Sequence, residues 1–220
     1  MPGGDTVITH ITTLHQHLLR LSPDTHLIVA IDGRAGSGKS TLAKYLASTF
    51  DEAYTVCTDD FYVPRSDRVD PEQTSSSAIG LDYDWDRLES QVLRPLSQRH
   101  PARYQRYDWR EDILAEWHMI PPGHCVVVEG VYSMQKRFAG YYNFTIWVET
   151  PRSLRFSRGL ARDGDGPEAR YMWEKVWMPR EDNYVSREHP EARADLVIDG
   201  SNPAFWTHHN PLPPESRHDD

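Results

Sequence analysis

The sequence predicts an α/β fold in which a parallel sheet carries helices, and three observations lead there. Short, β-branched apolar runs alternate along the chain with segments whose apolar residues recur at three- and four-residue steps. The runs are apolar almost throughout, as strands buried on both faces must be. Between the first such run and a helical one stands Gly33-Arg34-Ala35-Gly36-Ser37-Gly38-Lys39-Ser40, which fits G-x-x-x-x-G-K-[ST] at every fixed position.

In chain order, residues 5–21 place Ile8, Ile11, Leu14, Leu18 and Leu21 on one face of a helix that packs on the sheet. His10, His15 and His17 lie on or beside it without an acidic or cysteine partner at metal-ligand spacing, so they read as solvated. Ser22-Pro23-Asp24 breaks this helix before the first strand, Leu27–Ile31. The helix after the glycine-rich loop shows Leu42, Tyr45 and Leu46 at helical spacing. Ala53–Thr58 is a second strand and delivers Asp59-Asp60-Phe61-Tyr62 at its carboxyl end. The polar stretch Val63–Ala78, with Pro64, Pro71 and a Thr74–Ser77 run, predicts a surface loop.

Leu81-Asp82-Tyr83-Asp84-Trp85-Asp86-Arg87-Leu88 leads into a helix reaching about Leu96, with Leu88, Val92 and Leu96 on one face. Its acids suit either substrate hydroxyls or the positive end of the helix. Arg103–Arg110 is dense in aromatic and basic groups and fits either an edge hairpin or a wall against a flat polar ligand. Cys125–Gly130 is a buried strand ending in Glu129, and Asn143–Val148 another, closed by Glu149-Thr150-Pro151. A helix over Arg152–Gly164 sets Arg155, Arg158 and Arg162 on one face, a clamp for triphosphate oxygens. Gly164-Asp165-Gly166-Pro167 ends it, so that residues 152–170 can swing as a lid. In the next helix, from about Glu168 to Tyr184, Met172, Trp173, Val176 and Trp177 form a core stripe. Ala194–Gly200 is the last strand. One domain over residues 1–200 and a tail over 201–220 are expected.

The 220 residues suffice for one α/β domain, and a formal net charge of -9 argues against general affinity for nucleic acid or an anionic membrane. Cys57 and Cys125 lie in apolar runs far apart, which predicts free thiols in a reducing compartment. No apolar stretch approaches membrane-spanning length and no signal peptide is apparent, so a soluble cytoplasmic protein is expected. The oligomeric state stays open between monomer and homodimer.

The chemistry follows from residue types. Gly33, Gly36 and Gly38 let the backbone N–H groups close on phosphate oxygens at the positive end of a helix, and Lys39 adds a charge for the β and γ phosphates. The nucleotide-binding set runs Gly33, Arg34, Ala35, Gly36, Ser37, Gly38, Lys39, Ser40, Thr41. The Ser40 hydroxyl is the expected direct ligand of a magnesium ion otherwise held by phosphates and water. Asp59, at a strand's carboxyl end, can take a proton from a substrate hydroxyl or help organise the metal. Glu129, directly after three valines, is costly to bury unless paired, which favours a role in positioning the metal ion, directly or through water. These features point to ATP and Mg2+ as cosubstrate and cofactor, with a small molecule as partner. No Asn-Lys-x-Asp element occurs in the chain, which disfavours a GTPase switch.

The glycine-rich loop, Asp59-Asp60-Phe61-Tyr62, Tyr107-Asp108-Trp109, Val128-Glu129-Gly130, the arginine helix and Ala194-Asp195-Leu196-Val197-Ile198 together resemble the uridine kinase and phosphoribulokinase family of P-loop kinases over roughly residues 25–200. The resemblance implies the P-loop NTPase fold: a five-stranded parallel sheet with helices on both faces, plus a helical lid. It implies Asp59 as the base facing the substrate hydroxyl, Glu129 and Ser40 as organisers of magnesium, with Asp59 beside them, and Arg158 and Arg162 as lid residues acting on phosphate with Lys39. Asp82 or Asp84, with Tyr62, Tyr107 and Trp109, would line the acceptor site. Where uridine kinases carry a histidine that reads the pyrimidine, this chain has Arg110-Glu111-Asp112-Ile113. A nucleoside is the leading acceptor. Pantothenate, nicotinamide riboside, glycerate or a sugar are alternatives, as is a nucleotide-binding protein without chemistry.

Overall fold

Five of the β-branched runs assemble into one parallel sheet in the order β2-β5-β1-β6-β7. These are β1 (Leu27–Asp32), β2 (Ala53–Cys57), β5 (Cys125–Glu129), β6 (Phe144–Glu149) and β7 (Leu196–Asp199); β3 (Ala102–Asp108) and β4 (Ile113–Ile120) form a separate antiparallel hairpin. The computed structural model describes residues 10–21, 26–68, 79–202 and 205. The expected helical start before residue 10, the Ser22-Pro23-Asp24 break, the Thr74–Ser77 stretch and nearly all of the tail lie outside them. Phe205, within the expected tail, is buried against the core.

Alternation along the strands builds two cores. Leu27, Val29, Ile31, Val127, Ile146 and Val148 face α1 (Ile11–Leu21) and α2 (Lys39–Thr49), where Leu14, Leu18, Leu42 and Leu46 are buried. Each such leucine contributes roughly 2 kcal/mol. Ile28, Val126, Val128 and Trp147 face the other way, toward α3 over 85–97, the hairpin and Tyr184. Within α3 the turn over Glu89–Leu93 is π-type. The remaining helices are α4 (Arg152–Asp163), α5 over 167–188, with a π-type turn at Met172–Trp177, and α6 (Pro190–Arg193). Among the described residues no helix is long and apolar enough to cross a membrane.

Several local expectations are corrected. Within the Leu81–Leu88 stretch the helix starts at Trp85, because the Asp84 side chain accepts Arg87 N–H at 2.9 Å and caps it. Of Arg103–Arg110, residues up to Asp108 form a hairpin strand with Trp109 and Arg110 in the turn after it, and along the partner strand Ile113–Ile120 the alternating apolar residues Ile113, Trp117 and Met119 are exposed, not buried. His15 and His17 are not simply solvated: each meets an aromatic ring, Phe50 at 4.8 Å and Phe144 at 5.2 Å. Cys57 and Cys125 are free thiols on adjacent strands.

Candidate active site

The register of the sheet places the site. Cys57, Glu129 and Ile31 sit side by side on β2, β5 and β1, so the three neighbouring strands end together. Asp59 follows β2, Glu129 closes β5 and the glycine-rich loop follows β1. In open α/β sheets ligands bind at this carboxyl edge. A cleft of about 1510 Å³ opens there, lined by Ala35, Gly36, Gly38, Lys39, Ser40, Thr41, Asp59 and Glu129 on one side. Gly36 holds φ at +75° with the Arg155 carbonyl oxygen 2.6 Å from where a Cβ would stand, so the loop tolerates no side chain at that point.

Lys39 is buried and donates to the Arg34 carbonyl at 3.1 Å, spanning the loop. Ser40 Oγ donates to Glu129 Oε1 at 3.1 Å. Asp59 accepts from Tyr83 Oη at 3.1 Å. Although open to the cleft, Asp59 is walled by protein, and this withdrawal from bulk water raises its pKa against the opposing Tyr83 hydrogen bond and the charges of Lys39 and Arg162. Burial also raises Glu129, opposed by Lys39 and reinforced by Asp59. Among the described residues no three metal-ligating side chains cluster. One hydroxyl and one carboxylate in contact suit a hard cation that keeps phosphate and water ligands, which is the magnesium pattern rather than a closed protein cage.

The structure separates the predicted residues. Asp82, Tyr62 and Trp109 line the cleft, but Asp84 and Tyr107 do not. Asp84 caps α3, and Tyr107 lies buried with its hydroxyl donating to Asp112 at 2.5 Å. Asp60 turns toward the hairpin and accepts from Tyr104 at 3.2 Å. Arg34 points away from the cleft to Glu149 (3.4 Å) and Asp182 (3.1 Å), so the loop offers its backbone there. Gly33 and Ser37 likewise do not line the cleft. Ser37 Oγ is buried without a partner among the described residues.

The shared arginine face also divides. Arg155 is buried, donates to the Thr150 carbonyl at 3.0 Å and pairs with Glu181 at 3.4 Å, so it braces the fold and is no phosphate clamp. Arg158 lines the cleft and holds the loop carbonyls of Gly36 (3.3 Å) and Ser37 (3.4 Å). Arg162 also lines it, gripped by Asp163 at 2.7 and 3.0 Å. Asp163 in turn accepts from Trp173 Nε1 at 3.0 Å. The expected core stripe is corrected in part: Trp173 is fully buried, yet it and Met172, Val176 and Trp177 all border the cleft.

Two buried carboxylates, one lining the cleft and one behind it, escaped the sequence reading. Glu181, buried, accepts Ala35 N–H at 3.2 Å and lines the cleft. Its spacing of four and eight residues from Trp177 and Trp173 was the available signal. Asp32, fully buried at the end of β1, accepts from Gly33 N (2.6 Å), Met134 N (2.9 Å) and Tyr184 Oη (2.6 Å). Burial nevertheless pushes its pKa up to about 6.

Two predictions arise here. The folded protein holds the Asp32 proton more tightly than the unfolded chain, so stability contributed by Asp32 is greatest at acid pH and falls as pH rises from about 4 to about 6. In urea unfolding, wild type therefore loses ground to Asp32→Asn over that window, by about 3 kcal/mol at most. A constant difference from pH 4 to 7 contradicts this. Gly130 holds φ at +140°, with Thr58 Oγ1 1.8 Å from where a Cβ would stand. Gly130→Ala therefore costs about 2 kcal/mol or more and displaces the residue preceding Asp59; a urea midpoint equal to wild type would exclude that clash.

A model of the phosphoribulokinase / uridine kinase family matches residues 28–201. The uridine kinase of Clostridium botulinum (strain 657 / Type Ba4) is 26% identical over 145 residues, covering 62% of this chain and 68% of that protein. That of Leuconostoc citreum (strain KM20) is 29% identical over 147 residues, covering 63% and 69%. The chain thus spans about two thirds of the length of these relatives. Among solved structures, a possible uridine kinase from Bacillus stearothermophilus superposes with a TM-score of 0.66 at 24% identity, covering 86% of this chain and 97% of that one. That last likeness is one of fold.

Proposed function

The chain belongs to the phosphoribulokinase / uridine kinase family and is a kinase of that family, and we propose that it transfers the γ-phosphate of ATP to a hydroxyl of a small, nucleoside-like metabolite. One observation carries the reading. The glycine-rich loop, the Ser40–Glu129 contact and Asp59 come from three adjacent strand ends and face one cleft. Phosphate chemistry and a proton acceptor are then within reach of one substrate pair.

Phosphoryl transfer needs positioning and charge stabilisation more than covalent chemistry. The loop amides and Lys39 hold the phosphates, and Arg158 and Arg162 stabilise charge on the transferred group. Ser40 and Glu129 would hold magnesium, which when bound neutralises phosphate charge. Asp59, kept in place by Tyr83, aligns the acceptor hydroxyl and takes its proton. Tyr62, Tyr83 and Trp109 give the acceptor end flat apolar faces, which supports a ring-bearing acceptor. The segment over 152–170 closes on the nucleotide and excludes water.

The test is ADP release from ATP and magnesium across uridine, cytidine, nicotinamide riboside, pantothenate, glycerate and simple sugars. One acceptor should raise the rate far above the acceptor-free background. ATP binding without stimulation by any hydroxylated acceptor would favour a nucleotide-binding protein without chemistry, and preference for GTP would argue against the ATP assignment.

A further inference from the structure

The acceptor end of the cleft holds a cation that the mechanism above does not use. Arg68 lines the cleft, with its guanidinium 5.3 Å from the Tyr62 ring centre and 6.0 Å from those of Tyr107 and Trp109. Nε donates to the Val63 carbonyl at 2.8 Å and Nη2 to Tyr107 Oη at 3.3 Å, both neutral acceptors. Among the described residues no carboxylate stands within ion-pair distance of it. Asp112, near enough to feel its charge, already accepts from Tyr107 Oη at 2.5 Å and Arg65 N–H at 3.0 Å. Two other arginines of the cleft are held by acids: Arg162 by Asp163 at 2.7 Å and Arg180 by Asp82 at 2.6 Å.

A half-buried guanidinium loses hydration, and stacking on aromatic faces restores only part of that loss. An anion supplies the rest, and the planar fork suits carboxylate and phosphate oxygens alike. The position relative to the reacting end is readable along one wall. Asp59 accepts from Tyr83 Oη, the Tyr83 and Tyr62 ring centres are 4.0 Å apart, and Arg68 lies over Tyr62. An acceptor with its hydroxyl at Asp59 therefore extends along the two tyrosines toward Arg68.

The geometry points to an acidic acceptor, whose carboxylate or phosphate is bound by Arg68 at the end remote from the transferred phosphoryl group. The assignment rests on the kinase reading above, with Asp59 at the reacting end. It narrows the acceptor from any hydroxylated metabolite to one carrying an anionic group.

The experiment compares acceptors that differ in that group alone: pantothenate with panthenol and glycerate with glycerol for the carboxylate, ribose 5-phosphate with ribose for the phosphate. Wild type, Arg68→Met and Arg68→Lys are assayed with ATP and magnesium, their folding checked by circular dichroism. In at least one pair the anionic member should show a kcat/KM at least thirtyfold above its neutral counterpart. Arg68→Met should raise the KM of that member at least tenfold with kcat within threefold, and Arg68→Lys should restore part of the loss. Which pair responds tells carboxylate from phosphate. Equal use of both members in every pair, or an equal effect of Arg68→Met on both, overturns the assignment. Calorimetry with a non-hydrolysable ATP analogue separates the two readings. Anion binding that depends on Arg68 without phosphoryl transfer upholds the subsite and counts against the kinase reading. No anionic member binding more tightly than its neutral counterpart overturns the subsite.

Discussion

Replacing Lys39 by alanine lowers acceptor-dependent ADP formation at least a thousandfold. Lys39 is the positive charge common to the surroundings of Asp32, Asp59, Glu129 and Glu181, opposing the raised pKa of each. Without it the phosphates would enter a cleft lined by Asp59, Glu129 and Glu181, with Asp32 buried behind it, and no buried ammonium. Loss of one preorganised donor to a developing anion costs about 3–4 kcal/mol in other enzymes, which corresponds to two to three powers of ten. The uncompensated carboxylates add to that here. Steady-state ADP release measures the effect, and turnover within tenfold of wild type would remove Lys39 from the phosphate site.

Asp59→Asn should leave ATP affinity within about threefold and lower kcat by a hundred- to ten-thousandfold. The amide has the carboxylate's shape and its oxygen can still accept from Tyr83 Oη, so the position of the side chain is kept. What disappears is the capacity to take a proton. Nucleotide titration and kcat measured on the same preparation separate the two contributions. An unaltered kcat assigns the proton transfer elsewhere, and a collapse of ATP affinity would instead make Asp59 part of the nucleotide site.

The end of the cleft built by the glycine-rich loop, Asp59 and Glu129 was legible because its spacing is local. Gly33 to Ser40 is a contiguous pattern, and Asp59 and Glu129 each stand at the end of an apolar run that had to be a strand. The parallel sheet then brings those ends together by register. The opposite end of the cleft depends on which side chain crosses from a distant segment. Helical spacing put Arg155 on the same face as Arg158 and Arg162, but nothing nearby in sequence announces that Glu181, 26 residues on, reaches back to neutralise it. Asp84 and Asp82 are two residues apart and look alike in sequence, yet one caps a helix and the other meets Arg180 across the cleft. Tyr107 is buried in the hairpin strand while Trp109 stands exposed just after it, their ring centres 5.2 Å apart, so residue type alone did not tell the ring that lines the cleft from the one that does not.

The account's central claim is phosphoryl transfer, and it is tested most directly by mass spectrometry of the acceptor after incubation with ATP and magnesium. The account predicts a product heavier than the acceptor by one phosphoryl group, formed in equal amount with ADP by wild type and absent with Lys39→Ala. ADP accumulating without a phosphorylated acceptor, or the same product yield from Lys39→Ala, would contradict it.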